Sequence, residues 1–215
     1  LDGHHLALNY FVLGDQVVMT PAFMGSEPTV AEVGPYAGTE VLQEEQVQGL
    51  ALAATFSAAQ RASAIVDAEK TANDAQTQAY RDNVVLPYEG IRATELTPAQ
   101  RSKLLALAAL YVGNIRDGHA EVKMWEVAEH LDDTYFMWKG DTSADAVFYY
   151  RIHSPVILIE FDHQSPVALG ARSDGPSRRH VHSVVRTPNG NDYGKDLLRQ
   201  HYERYRNDPS HGHRH

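Results

Sequence analysis

Apolar and polar positions alternate at the start of the chain. "HHLALNYFVL", the turn pair Gly14-Asp15 and "QVVMTPAF" together predict a β-hairpin from His4 to Phe23, with Pro21 ending its second strand or placing it at an edge. The stretch "MGSEPTVAEVGPYAGTE" has no period and is rich in Gly and Pro, which reads as a long ordered loop. From Thr39 the spacing becomes helical through "EVLQEEQVQGLALAATF", with Gly49 as a weak point. "SAAQRASAIV" and "LTPAQRSKLLALAALYV" each begin with a capping box, Ser57 with Gln60 and Thr97 with Gln100, the second with Pro98 at the first helical position. The repeated "(S/T)-x-A-Q-R" is either a duplicated helical unit or two well-capped helices.

Between these boxes, "DAEKTANDAQTQAYRDNVVLPYEGIRATE" is polar and punctuated, a loop with a short strand at Val84–Leu86. "DGHAEVKMWEVAEHLDD" reads as another helix, with Val122, Trp125, Val127 and Leu131 near helical spacing. The last third turns to strands: "AVFYYRIHSPVILIEFDHQ" as two, broken at His153-Ser154-Pro155, and "RHVHSVVR" as a third before the helix "GKDLLRQHYERY". Strands at both ends with helices between them give an α+β fold: an antiparallel sheet from the N-terminal hairpin and the C-terminal strands, with an inserted helical segment. The expected layout is a single α+β domain over 1–215, with hairpin 1–24, mainly helical segment 39–133, and strands and final helix 146–205.

Composition narrows the function. The 215 residues include 19 Lys and Arg against 28 Asp and Glu, a net charge of −9, which argues against nucleic acid as a partner because phosphate binding needs clustered cations. No apolar run, that near Pro155 to Ile159 included, approaches the roughly 18 residues of a membrane span. With no cysteine, disulfides, iron–sulfur clusters and thiol nucleophiles are excluded, so any metal would be held by His, Asp, Glu, Asn or backbone oxygen. The chain starts at Leu1 on what reads as a strand edge, which leads us to expect an upstream segment of the same protein, or an upstream chain, as a partner.

The chemistry concentrates in "HVHSVVR", where His180 and His182 lie two apart and, on a strand, face the same side closely enough to share one ion. In "VILIEFDH", Glu160 and Asp162 share one face while Ile157, Ile159 and Phe161 share the other. The carboxylates therefore need a metal or an ion pair, with Arg151 or Arg186 as the alternative partners. Strand parity separates His5 and Asn9, on a mixed face, from His4, on the more apolar one. The expected metal ligands are thus His5, His180, His182 and Glu160. His4 and His201 are further candidates, Asp162 would orient a ligating imidazole, and Arg151 or Arg186 would fix an anionic small-molecule substrate. Zn, Fe, Mn or Cu suits such a donor set, for hydrolytic or oxidative chemistry. The rival is a non-catalytic module in which the histidines form a buried hydrogen-bond network. His153 and His163 read as turn residues. The terminal "HGHRH" has metal-binding composition without a scaffold.

The pieces "DGHHLALNY", "TPAFMGSEP", "LTPAQRSKLLALAALYVGN", "YYRIHSPVILIEFDHQ" and "HVHSVVRTPNGNDYGKDLLRQHY" occur in that order, and the chain resembles the domain of unknown function 3500 family over nearly its whole length. The family's recurrent motifs fall on Gly3 to Leu6, Ile159 to Asp162, His180 to Val184 and Asp192 to Tyr202. The resemblance implies a further helical segment ahead of the first motif, so that the chain would be the C-terminal two-thirds of the pattern. It also marks "SPVALGARSDGPSRR" as a long link where a shorter one is common. It brings no reaction with it.

Overall fold

In a computed structural model, residues 1–78, 81, 84–168 and 175–206 are described. The N-terminal pattern folds differently from one long hairpin. Strands β1 (Asp2–Gly3) and β2 (Leu6–Leu8) form a tight hairpin whose turn is His4-His5, and the chain leaves it at Asn9, whose amide donates to Pro21 O at 2.8 Å. Strands β3 (Phe11–Leu13) and β4 (Gln16–Val18) pair across Gly14-Asp15 as a separate two-stranded sheet. The apolar run resumes past Pro21 as β5 (Ala22–Ser26), which returns to pair with β2.

The inserted segment supplies α1 (Gln43–Ala53), α2 (Ala58–Ala64), β6 (Ile65–Asp67), β7 (Ile91–Arg92), α3 (Pro98–Val112) and α4 (Asp117–Glu129). Both capping boxes form, each hydroxyl accepting from the Gln backbone N–H and each Gln side chain accepting from the cap N–H. The two Gln side chains also bond each other, Gln60 Nε2 to Gln100 Oε1 at 2.8 Å and Gln100 Nε2 to Gln60 Oε1 at 3.0 Å. The repeated motif therefore joins the starts of α2 and α3. Val84–Leu86 is not a strand. On α4, Val127 is buried, whereas Val122 and Trp125 face outward rather than into the core.

Strand β8 (Tyr135–Gly140) lacks a clean alternation and escapes the sequence reading. It precedes β9 (Phe148–His153), β10 (Leu158–His163), β11 (Val181–Arg186) and helix α5 (Lys195–Tyr205). The main sheet runs β1-β2-β5-β11-β10-β9-β8-β6, with β7 also on β8, and every pairing is antiparallel except β6 with β8. The α+β class and the inserted helical segment are as expected, and the N-terminal and C-terminal strands meet at β5–β11. His153 and His163 are the last residues of β9 and β10 and are buried, which corrects their reading as turn residues.

Register gives the sheet two unlike faces. On one lie Phe136, Trp138, Phe148, Tyr150, Ile152, Ile159, Phe161, Val181 and Val185, packed with Leu52, Leu104, Leu107 and Tyr111 of the helices. Gly49 is needed here, because a Cβ on it would sit 2.4 Å from the Tyr150 ring. The opposite face carries Tyr149, Arg151, Leu158, Glu160, Asp162, His182, Val184 and Arg186. Across it lies an irregular strap, residues 68–78 after β6 and 84–90 before β7, whose backbone satisfies charges of the sheet.

Candidate metal centre

The strap explains the charged residues of the middle strands. Asp74 N and Ala75 N donate to Asp162 Oδ2 at 2.7 and 2.8 Å, while Gln76 N and Thr77 N donate to Glu160 Oε1 and Oε2, both at 2.8 Å. Glu160 also accepts from the Thr77 and Tyr149 hydroxyls, and Lys70 Nζ lies 3.0 Å from Asp162 Oδ1. Four consecutive backbone donors thus resolve the cost of burying two carboxylates. Burial pushes the Asp162 carboxyl up to about 6, opposed by Lys70 and these N–H groups. Arg186 grips the same segment from its other side, donating to Thr77 O and pairing with Asp192 at 3.1 Å. Arg151 pairs with Glu89 at 2.6 Å and donates to Pro87 O at 3.1 Å.

The other residues named from the sequence have partners of their own. Glu160 is occupied by four donors and does not join the imidazole group. Asp162 orients the strap rather than an imidazole. Arg151 and Arg186 bind the strap and neighbouring acids, and neither pairs with Glu160 or Asp162. His201, on α5, makes ring contacts with Tyr202 and Tyr205 and is not part of the group.

Three imidazoles do converge. Among the described residues, ligand nitrogens of His5, His180 and His182 lie within 4.8 Å of one another, and the ring centroids are 4.8 to 5.4 Å apart. His5 arrives from the β1–β2 turn, not from a strand face. Its carbonyl accepts from Gly25 N at 2.8 Å, which fixes the turn over β5. His182 pairs across the sheet with Gly25, where a Cβ would stand 2.7 Å from Val181 O, 2.9 Å from His182 Cδ2 and 3.2 Å from His5 Cδ2. Only glycine leaves both rings their places. His4, the exposed turn neighbour, stacks obliquely on His5 at 4.5 Å.

Hydrogen bonding fixes the tautomers. His180 Nδ1 lies 2.8 Å from Ser165 O and His182 Nδ1 lies 3.0 Å from Gln78 Oε1. Ser165 O is a backbone carbonyl, so His180 Nδ1 carries the hydrogen; with the Gln78 amide oxygen toward His182 its Nδ1 carries one too, and the two Nε2 atoms face each other at 3.1 Å. Glu27 stands behind His180, its Oε2 3.4 Å from Nδ1, while its carboxylate accepts from Val167 N and Ala168 N. Burial pushes the His182 imidazole down to about 3, helped by His180, His5 and His4 and opposed by Glu27; burial likewise lowers His5, with His4 and His180 acting in the same direction.

Gly25, Glu27, Gln78 and Ser165 are the site residues the sequence reading missed. The carboxylate beside the imidazoles is Glu27, in the Gly- and Pro-rich stretch taken for a loop. The resumed apolar run Ala22-Phe23-Met24 was the available sign that a strand carries Gly25 to the site. On the helix side of the sheet a separate cleft of about 550 Å³ is walled by Tyr111, Trp125, Ile157 and Val185, and none of His5, His180 and His182 lines it.

An α+β sheet with a three-imidazole cluster at the junction of its N-terminal and C-terminal strands defines the architecture. The chain belongs to the family described as protein of unknown function (DUF3500), whose model matches residues 1–195 and so contains the whole cluster but only the first residue of α5. No curated protein and no solved structure matches it.

Proposed function

We propose that His5, His180 and His182 hold one divalent metal ion and that the protein is a metal-dependent enzyme. The observation that carries this reading is the 3.1 Å approach of two Nε2 atoms whose rings both hold their hydrogen on Nδ1. Two lone pairs at that distance repel unless a cation lies between them. A tetrahedral ion with bonds of roughly 2.0–2.1 Å spaces its nitrogen ligands about 3.3 Å apart, close to what is found. Carbonyl acceptors on the outer nitrogens are what ligating histidines ordinarily have, and Glu27 adds negative charge behind His180.

Three neutral imidazoles suit Zn, Fe, Mn or Cu and leave coordination positions open for water and a small-molecule substrate. The ion would supply Lewis acidity, lowering the pKa of bound water toward neutrality, and we favour hydrolytic chemistry on that ground. The chain's own contribution is to hold the rings in one tautomer through Ser165 and Gln78 and to leave room for them at Gly25.

One observation favours a second reading. The Nε2 separation is also a hydrogen-bond distance, and a proton between the two rings would give a non-catalytic bracing network. Metal analysis decides between the two: about one ion per chain supports the enzyme reading, and a trace amount unaffected by removing His180 and His182 supports the network.

A further inference from the structure

Glu160 lies outside the imidazole group, yet it connects to it. Gln76 and Thr77 are seated on Glu160 through their backbone N–H groups, Arg186 holds Thr77 O and Gln78 O, and the next side chain along, Gln78, accepts from His182 Nδ1. We infer that Glu160 is a positioning residue for the metal centre: by seating residues 76 and 77 it fixes the Gln78 carbonyl that keeps His182 in its Nδ1–H tautomer. This rests on the proposed metal site. It goes beyond it by making an irregular strap, held by a buried carboxylate on one strand, part of what positions a ligand on the next.

The physical basis is that an amide side chain orients a partner only when its own backbone is fixed. Nothing periodic fixes this strap: residues 76–78 lie in neither helix nor strand. What holds them is the set of donors to Glu160, including the Thr77 hydroxyl, together with the Arg186 grip. Tyr149 also donates to Glu160, at 2.6 Å, but from the sheet rather than the strap, so it provides a control that disturbs the same carboxylate without touching the strap's seat.

The test is Zn²⁺ affinity, measured by competition with a chromophoric chelator, in Glu160→Gln, Thr77→Ala, Gln78→Ala, Tyr149→Phe and the combination of Glu160→Gln with Gln78→Ala. Loss of an outer-shell partner typically costs about 10–100-fold in metal affinity. Glu160→Gln and Gln78→Ala should each fall in that range, Thr77→Ala in the same direction, and the double variant no lower than Gln78→Ala alone, because both act through one carbonyl. Tyr149→Phe should leave affinity within about two-fold of wild type. Additive losses in the double variant, or a loss in Tyr149→Phe equal to that in Thr77→Ala, would overturn the inference. Should Glu160→Gln not fold, the cycle is run with Thr77→Ala in its place.

The metal-free protein gives a readout that does not depend on the metal reading. The ring ¹⁵N shifts of His182 should report the Nδ1–H tautomer in wild type and Tyr149→Phe, and a tautomer mixture in Glu160→Gln and Gln78→Ala. Unchanged shifts in Glu160→Gln would defeat the positioning role, whereas absence of metal binding by wild type would defeat the proposed function alone.

Discussion

His180 Nε2 and His182 Nε2 lie 3.1 Å apart while the Nδ1 atom of each ring donates to an oxygen, so each ring presents a lone pair to the other. A cation lying between the two Nε2 atoms would resolve that conflict.

Gly25→Ala places a methyl group against Val181 O, His182 and His5. The ring contacts must open, so metal affinity should fall at least about ten-fold, with a stability loss of about 1–3 kcal/mol from overpacking. Metal competition and denaturant unfolding on the same sample check both. Unchanged metal affinity would show that the glycine is not what admits the rings.

His163 makes stability pH-dependent. Phe148 N donates to its Nδ1 at 2.8 Å, so Nε2 carries the hydrogen to Gln46 Oε1 at 2.7 Å, and the ring is held neutral with burial pushing it down to about 3. A folded value below the unfolded value of about 6.5 means that the unfolded chain binds more protons as pH falls. The contribution is therefore complete above pH about 6.5 and is lost between there and about 3. His163→Gln should reduce the slope of unfolding free energy between pH 6 and 4 by about 1.4 kcal/mol per pH unit, measured by urea titration with chelator present. An unaltered slope would contradict the assignment.

Gln60 and Gln100 should be energetically coupled. Gln100→Ala strands Thr97 N–H and Thr55 O and should cost about 1–3 kcal/mol. Gln60→Ala, at the exposed cap, should cost about 1 kcal/mol. Because the two amides bond each other, the double variant should fall short of the sum by at least about 0.5 kcal/mol in thermal or urea unfolding. Strict additivity would mean that the reciprocal pair contributes nothing.

The sequence exposed the elements whose signals are local. Both capping boxes, the helices they start, the Gly14-Asp15 turn and the two-faced strand "ILIEFDH" were legible because each depends on residues a few positions apart. Strand β8 was not, since "YFMWKG" is buried on both sides and shows no alternation. His5, His180 and His182 were named together on strand parity, but His5 reaches the others from a turn, where parity does not apply. The backbone partners of Glu160 were not legible, because they come from Gln76 and Thr77, more than 80 residues upstream in a segment with no period. Glu27 was missed for the same reason: only the fold places it behind His180.

The central claim is that three imidazoles hold an ion. The most direct measurement is metal content by elemental mass spectrometry, on the 215-residue chain with His211, His213 and His215 replaced by alanine, beside the same chain also carrying His180→Ala and His182→Ala. The account predicts about one metal ion per chain in the first and loss of nearly all of it in the second. Substoichiometric metal that is equal in both would contradict it.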